Sequence, residues 1–243
     1  MSMKHLMLVF AIAAFHASCA PKVKSKIVQT AEPLGESGTV VTLYPSESSP
    51  PNAILLGTFR VGEQGATVGC TYEVVMKLAL QDARLHGANI LHIQKIKEPN
   101  GGSTCFTFKG SYFKVPDIYS YQDSIVALED SITATKFKGD KGYALLHVYR
   151  PSLGYGWALN YKLHQNDSVL CKIRNGFYET FRIDNPQCYN FWAKTESLEE
   201  LNLCIEGGQE YYLKCGVSLG AFIGRPRIFL VEKSLGRSEF QEK

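Results

Sequence analysis

Cysteine and histidine carry most of the chemistry this chain could perform, so their spacing is the first constraint on function. Seven cysteines occur: Cys19, Cys70, Cys105, Cys171, Cys188, Cys204 and Cys215. None has C-x-x-C spacing, which argues against a thioredoxin-like redox motif and a zinc ribbon. Cys19 stands apart at the end of an N-terminal apolar run. The six that remain are an even set, suited to disulfides in an oxidising compartment. Cys70 and Cys105 read as structural cysteines. The other four admit three pairings that the sequence does not rank. Cys204 and Cys215 flank a turn at Gly207-Gly208, but they are displaced along their strands, which disfavours a direct bridge. Beyond residue 19 the histidines are His86, His92, His147 and His164. No pair has H-E-x-x-H spacing, no glycine loop matches a phosphate cradle and no G-x-S-x-G elbow is present. The expectation is a non-enzyme, with no catalytic residue, metal site or cofactor.

Two further segments combine glycine, aromatic and arginine residues: R-P-S-L-G-Y-G-W at 150–157 and G-V-S-L-G-A-F-I-G-R-P-R at 216–227. Such a mixture suits a partner contact, and it nominates Arg150, Tyr155, Trp157, Phe222 and Arg225 as binding residues. The competing reading is that the glycines permit turns while Trp157, Phe222 and Ile223 fill a core. Aromatic residues beside strands are more often core, so the sequence favours this second reading.

These groups are carried by a chain of 243 residues with 45% hydrophobic and 20% charged residues, an ordinary folded composition. A net charge of +3 with no long basic run excludes a nucleic-acid binder. Lys4 and His5 precede the apolar run 6–15, which is too short to span a bilayer, a task for about 20 residues. Ala17-Ser18-Cys19 follows, and this arrangement resembles the lipobox of bacterial lipoproteins. The resemblance implies that Cys19 receives a diacylglycerol and becomes the N-terminus of a protein anchored in the cell envelope. Ala20 after the cysteine implies the outer membrane, facing the periplasm. Ordinary signal cleavage after Ala20 also fits, with Ser18 and Ala20 as its small residues.

The elements divide the chain. Residues 20–38, with Lys22, Lys24 and Lys26, read as a flexible tether behind the 1–19 signal. Residues 39–115 read as a small α+β domain, one helix on an antiparallel sheet. Its helix spans about 71–86, with an apolar stripe of Val74, Val75, Leu78, Ala79 and Leu85 and a C-terminal stop at Gly87. Residues 116–141 read as a linker with a short helix near 121–130. Recurring strands over 142–233 predict an all-β antiparallel sandwich, with Asn175-Gly176 as a hairpin turn and 206–209 as another. Residues 234–243 form a tail.

With these elements placed, residues 54–115 resemble the sensor lipoprotein of the Rcs envelope-stress pathway. The likeness rests on the export signal, a cysteine before the helix, Gly87-Ala88-Asn89 closing it and a cysteine on a later strand. It implies a disulfide between Cys70 and Cys105. Residues 142–233 resemble an exported domain of unknown function found in lipoproteins. That match rests on Val148-Tyr149-Arg150-Pro151, the turn at Asn175-Gly176, Ala193-Lys194-Thr195-Glu196, residues 207–212 and Gly216 with Gly224-Arg225-Pro226, and it implies a transthyretin-like sandwich. The function expected is a membrane-held binding, sensing or scaffold module whose partner is an envelope protein or the cell wall. The contrasting expectation is an envelope enzyme acting on peptidoglycan or protein thiols.

Overall fold

The computed structural model describes residues 20–62, 70–99, 103, 105–152, 154, 156–220 and 222–241. Cys19 and Tyr155 lie outside the described residues. The chain is mostly β, with three sheets and three helices among the described residues.

The first sheet contains β1 (Lys22–Ile27), β2 (Val41–Leu43), β3 (Ile54–Gly62), β4 (Ile90–Lys97) and β5 (Thr107–Lys114), in the order β1-β3-β5-β4-β2. The segment expected to be a tether thus supplies an edge strand. Its exposed lysines alternate with Val23 and Ile27, which pack on the core. Lysine on an edge strand discourages pairing with other chains, so the residues that suggested solvation also suit a strand. A second departure is β2, which pairs parallel to β4 where an antiparallel sheet was expected.

Helix α1 (Tyr72–Leu85) lies on this sheet. The Thr71 side chain caps it by accepting from Val74 N at 3.4 Å, and Gly87 follows with φ +74°. A Cβ at Gly87 would stand 2.3 Å from the Glu32 carbonyl oxygen, so this position needs glycine for space as well as for conformation. The buried stripe is Val75, Ala79 and Ala83, while Val74 and Leu85 are exposed. Ala83 joins the expected Ala79 in this stripe, and the two small side chains let the helix sit close to the strands. A disulfide joins Cys70 to Cys105, with Cα atoms 4.9 Å apart.

Helix α2 (Ile118–Phe137) replaces the expected linker. Asp117 caps its start, and Lys138 ends it in the left-handed region at φ 49°. It buries its two end residues, Ile118 and Phe137, leaving a weakly amphipathic middle whose sequence gave little sign of its length.

Eight strands follow: β6 (Ala144–Arg150), β7 (Tyr161–Gln165), β8 (Ser168–Ile173), β9 (Phe177–Ile183), β10 (Cys188–Lys194), β11 (Leu198–Cys204), β12 (Glu210–Ser218) and β13 (Arg225–Val231). They form two four-stranded sheets, β11-β10-β7-β8 and β13-β12-β6-β9. Leu146, Val148 and Leu213 from one sheet and Leu163, Phe191 and Ala193 from the other share one buried cluster. The pairing is not antiparallel throughout, because β6 and β12 run parallel. Asn175-Gly176 reverses the chain, with Gly176 at φ +70°, but it joins strands of opposite sheets rather than a hairpin. The turn at 206–209 also crosses between sheets. A tight turn fixes reversal of direction; which strand the return pairs with depends on the apolar face it buries. Cys188 and Cys204 stand opposite each other on β10 and β11 and are disulfide-bonded, while Cys171 and Cys215 stay free, so only one bond forms among the four cysteines whose pairing the sequence left open.

The expected tail is helix α3 (Lys233–Gln241). Gly236 lets it approach β12, since a Cβ there would lie 2.4 Å from the Tyr212 side chain. Phe240 packs against the rings of His147, Tyr149, Tyr178 and Tyr212. Leu235 reaches the core of the first half, and Phe106 meets Phe229 edge-on at 6.0 Å, so the two halves share a packed junction.

Candidate binding surface

Strand alternation places Arg150 on the inward face of β6, beside Leu146 and Val148, at the strand's end. It is 1% exposed, so it cannot itself meet a partner as the sequence suggested. Its guanidinium donates to the carbonyl oxygens of Gly156 and Leu159, each at 2.6 Å. A buried cation must be met by aligned acceptors, and these two carbonyls fix the loop after β6 from beneath. Gly156, at φ +68°, packs against Val217 of β12.

A carboxylate does the matching work for the loop between β12 and β13. Glu196 Oε1 accepts from the backbone N–H groups of Phe222 at 2.5 Å, Gly224 at 3.1 Å and Ile223. Thr195 Oγ1 donates to the Gly224 carbonyl at 2.7 Å. Three N–H groups that a tight loop would otherwise leave to water are thus satisfied by one side chain. Sequence reasoning missed this role. Glu196 is separated from its partners by 26 to 28 residues, and no local pattern announces such a contact.

The two fastened loops hold apolar side chains outward. Phe222 is 94% exposed, Trp157 67% and Ile223 64%, with Leu198 and Leu219 also exposed nearby in the fold's loop end. The favoured expectation that Trp157, Phe222 and Ile223 fill the core is overturned. The core is already closed by strand residues such as Phe191, Leu213 and Ile228, and the loops extend beyond the last strand pairs. Large apolar groups clustered in water mark contact surfaces. Arg225 is exposed at the same end.

Other groups with chemical potential are engaged in the structure. Glu210, on the outward face of β12, bonds His147 Nε2 at 2.9 Å, pairs with Lys136 and lies 3.5 Å from Arg237. Burial opposes its charge, but the His147 and Lys136 contacts prevail and hold its carboxyl at about 2. The buried Lys214 lies between Glu98 and Glu239; burial alone would lower its pKa, and the two carboxylates hold it above its ordinary value. His92 meets Ser49 and His164 stacks on Trp192. Cys171 and Cys215 are free thiols; burial pushes Cys171 up to about 12 and Cys215 higher still. Among the described residues, no group of three or more His, Cys, Asp or Glu is arranged to hold a metal ion. No described helix is long and apolar enough to cross a membrane. No family model matches this chain, and neither the curated proteins nor the solved structures contain a significant match to it.

Proposed function

We propose that this protein is a lipid-tethered, non-catalytic module of the bacterial cell envelope that binds another envelope component through the loop end bearing Trp157 and Phe222. The observation that carries the reading is the pairing of exposed apolar groups with polar side chains that fasten the loops bearing them. Arg150 and Glu196 hold the backbone of two loops whose side chains face water. Loops held this firmly lose little further freedom when they bind, which favours affinity. The folded body is a five-stranded α+β unit extended by β1, followed by a β-sandwich with helices α2 and α3 on one outer face. The export signal places it outside the cytoplasm, and Cys19 supplies the anchor to the outer membrane. The resemblance of residues 54–115 to an envelope-stress sensor and of residues 142–233 to an exported lipoprotein domain agrees with that address.

An enzyme acting on thiols would need an accessible thiolate. Cys171 and Cys215 are both held protonated at neutral pH by burial, so they favour the binding reading. The anchor is tested by feeding labelled palmitate to cells that make the wild type or Cys19→Ala. Label on the wild type and none on the variant is the expected result. Equal labelling of the two would contradict the anchor.

A further inference from the structure

The loop end carries a second property besides its apolar tip. The loops at 151–160, 174–176, 194–198 and 219–225 contain three cations, Arg174, Lys194 and Arg225, all exposed. Their one acid is Glu196, whose Oε1 is turned onto backbone N–H groups. The opposite end mixes signs: Asp167, Asp184 and Glu206 lie there with Lys141 beside Gly207 and Gly208, Arg182 paired with Asp184 and Lys233 bonded to Gln209. The apolar tip is therefore ringed by cations, and its one acid is already engaged.

The tip also lies on the side from which the chain departs toward Cys19. Lys22 pairs with Gly62, Gly62 with Thr107 and Thr107 with Lys97, so these four stand in one row at one end of the first sheet. Two residues beyond Lys97, Pro99 lines a crevice together with Pro151 and Ser218 of the loop end. The sheet end where β1 begins therefore abuts the sandwich end that carries Trp157 and Phe222.

We infer that the loop end rests on the surface of an anionic lipid bilayer, with Trp157, Phe222 and Ile223 inserted at headgroup depth and Arg174, Lys194 and Arg225 against lipid phosphates. Convex loops that project single apolar side chains fit a bilayer interface, which yields around each one. Indole and phenyl rings are favoured at that depth. Binding of this kind adds apolar burial to attraction between basic side chains and anionic headgroups. The inference deepens the binding-module reading by naming the component bound. It shares that reading's premise that the protein faces an envelope membrane.

The test uses unlipidated protein beginning at Ala20, which retains all the described residues. Sedimentation with vesicles of phosphatidylethanolamine and phosphatidylglycerol is compared with vesicles of phosphatidylcholine alone. In a Trp192→Phe background, Trp157 is the remaining indole and its emission reports insertion. Binding to the anionic vesicles with a blue shift is expected, with weaker binding to phosphatidylcholine. Trp157→Ser with Phe222→Ser should reduce partitioning roughly tenfold or more. Arg225→Glu should reduce it on anionic vesicles and leave phosphatidylcholine unaffected. These positions are exposed, and circular dichroism checks that each variant is folded. Absence of wild-type binding, or binding unchanged by the double serine variant, would overturn the inference. If a photo-crosslinker at position 222 captured an envelope protein in cells while vesicles bound nothing, the lipid inference would fall and the binding-module reading would stand. Loss of the palmitate result alone would remove the anchor and leave the vesicle result intact.

Discussion

The Glu196 carboxylate accepts a hydrogen bond from the backbone N–H of Phe222 at 2.5 Å, which fastens a side chain that is 94% exposed to a fixed strand end. A loop that displayed Phe222 for no purpose would gain little from such a fastening. The same carboxylate also holds Ile223 and Gly224, so removing it releases the whole tip.

Glu196→Ala should therefore loosen residues 222–224. Losing the acceptor of several N–H groups at a partly exposed site should cost about 1–3 kcal/mol in urea unfolding. Amide exchange at 222–224 should accelerate while exchange in β6 and β12 stays slow. Unchanged exchange at these three amides would show that Glu196 does not hold the loop.

Arg150→Leu should be more damaging, because it strips the buried carbonyls of Gly156 and Leu159 of their donor. A loss of about 2–4 kcal/mol is expected. Arg150→Lys keeps the charge but offers no fork to two carbonyls, and should fall between the leucine variant and the wild type. A leucine variant as stable as the wild type would contradict the fastening role.

The cysteines predict a labelling pattern. In unreduced native protein, iodoacetamide should leave the buried Cys215 unmodified and react slowly with the half-buried Cys171, and after denaturation it should modify both readily. Tryptic peptides should show Cys70 linked to Cys105 and Cys188 linked to Cys204. Replacing Cys70 and Cys105 together by alanine should cost about 2–4 kcal/mol. Rapid native labelling of Cys215 would refute its burial in the sandwich core.

Acid stability follows from Glu210. Its folded pKa, about 2, is below the ordinary value of 4.5. A depressed carboxyl contributes stability that is fully present above its unfolded pKa and is lost as pH falls toward the folded value. The loss should run from about pH 4.5 down to about 2 and amount to roughly 3 kcal/mol or less, because His147, Lys136, Arg237 and Tyr212 all lie within its reach. Glu210→Gln should lower stability at neutral pH and flatten that acid slope. A variant with the wild-type slope would place the acid sensitivity elsewhere.

Much of the fold could be read from local rules, and the misreadings have common physical causes. Thr71 and Gly87 bracket α1 because caps and left-handed stops act over a few residues. The strands of the second half announced themselves by alternation, yet Asn175-Gly176 could not say which sheet receives β9. In sequence β1 reads as a tether, because an edge strand bearing lysines looks like a solvated segment until its partner is known. In sequence α3 reads as a tail, because its value lies in distant partners: Phe240 meets His147 and Tyr149, and Tyr149 bonds Glu239 at 2.6 Å. At the loop end, the sequence nominates Arg150, Tyr155, Trp157, Phe222 and Arg225 as binding residues. It did not separate the buried fastener Arg150 from the displayed groups, and it assigned Trp157 and Phe222 to the core. That distinction depends on where the strand pairs stop, which is a property of the assembled sheets.

A photo-crosslinking residue placed by turns at positions 222 and 206 in intact cells tests most directly whether this protein meets an envelope partner through the loop end. Glu206 sits in a loop at the far end of the sandwich and is exposed, so it reports unspecific encounters. Position 222 should give discrete adducts with envelope lipid or protein, abolished when Trp157 and Ile223 are also replaced by serine, and position 206 should give none. Adducts of equal yield from both positions, or none from 222, would contradict the claim.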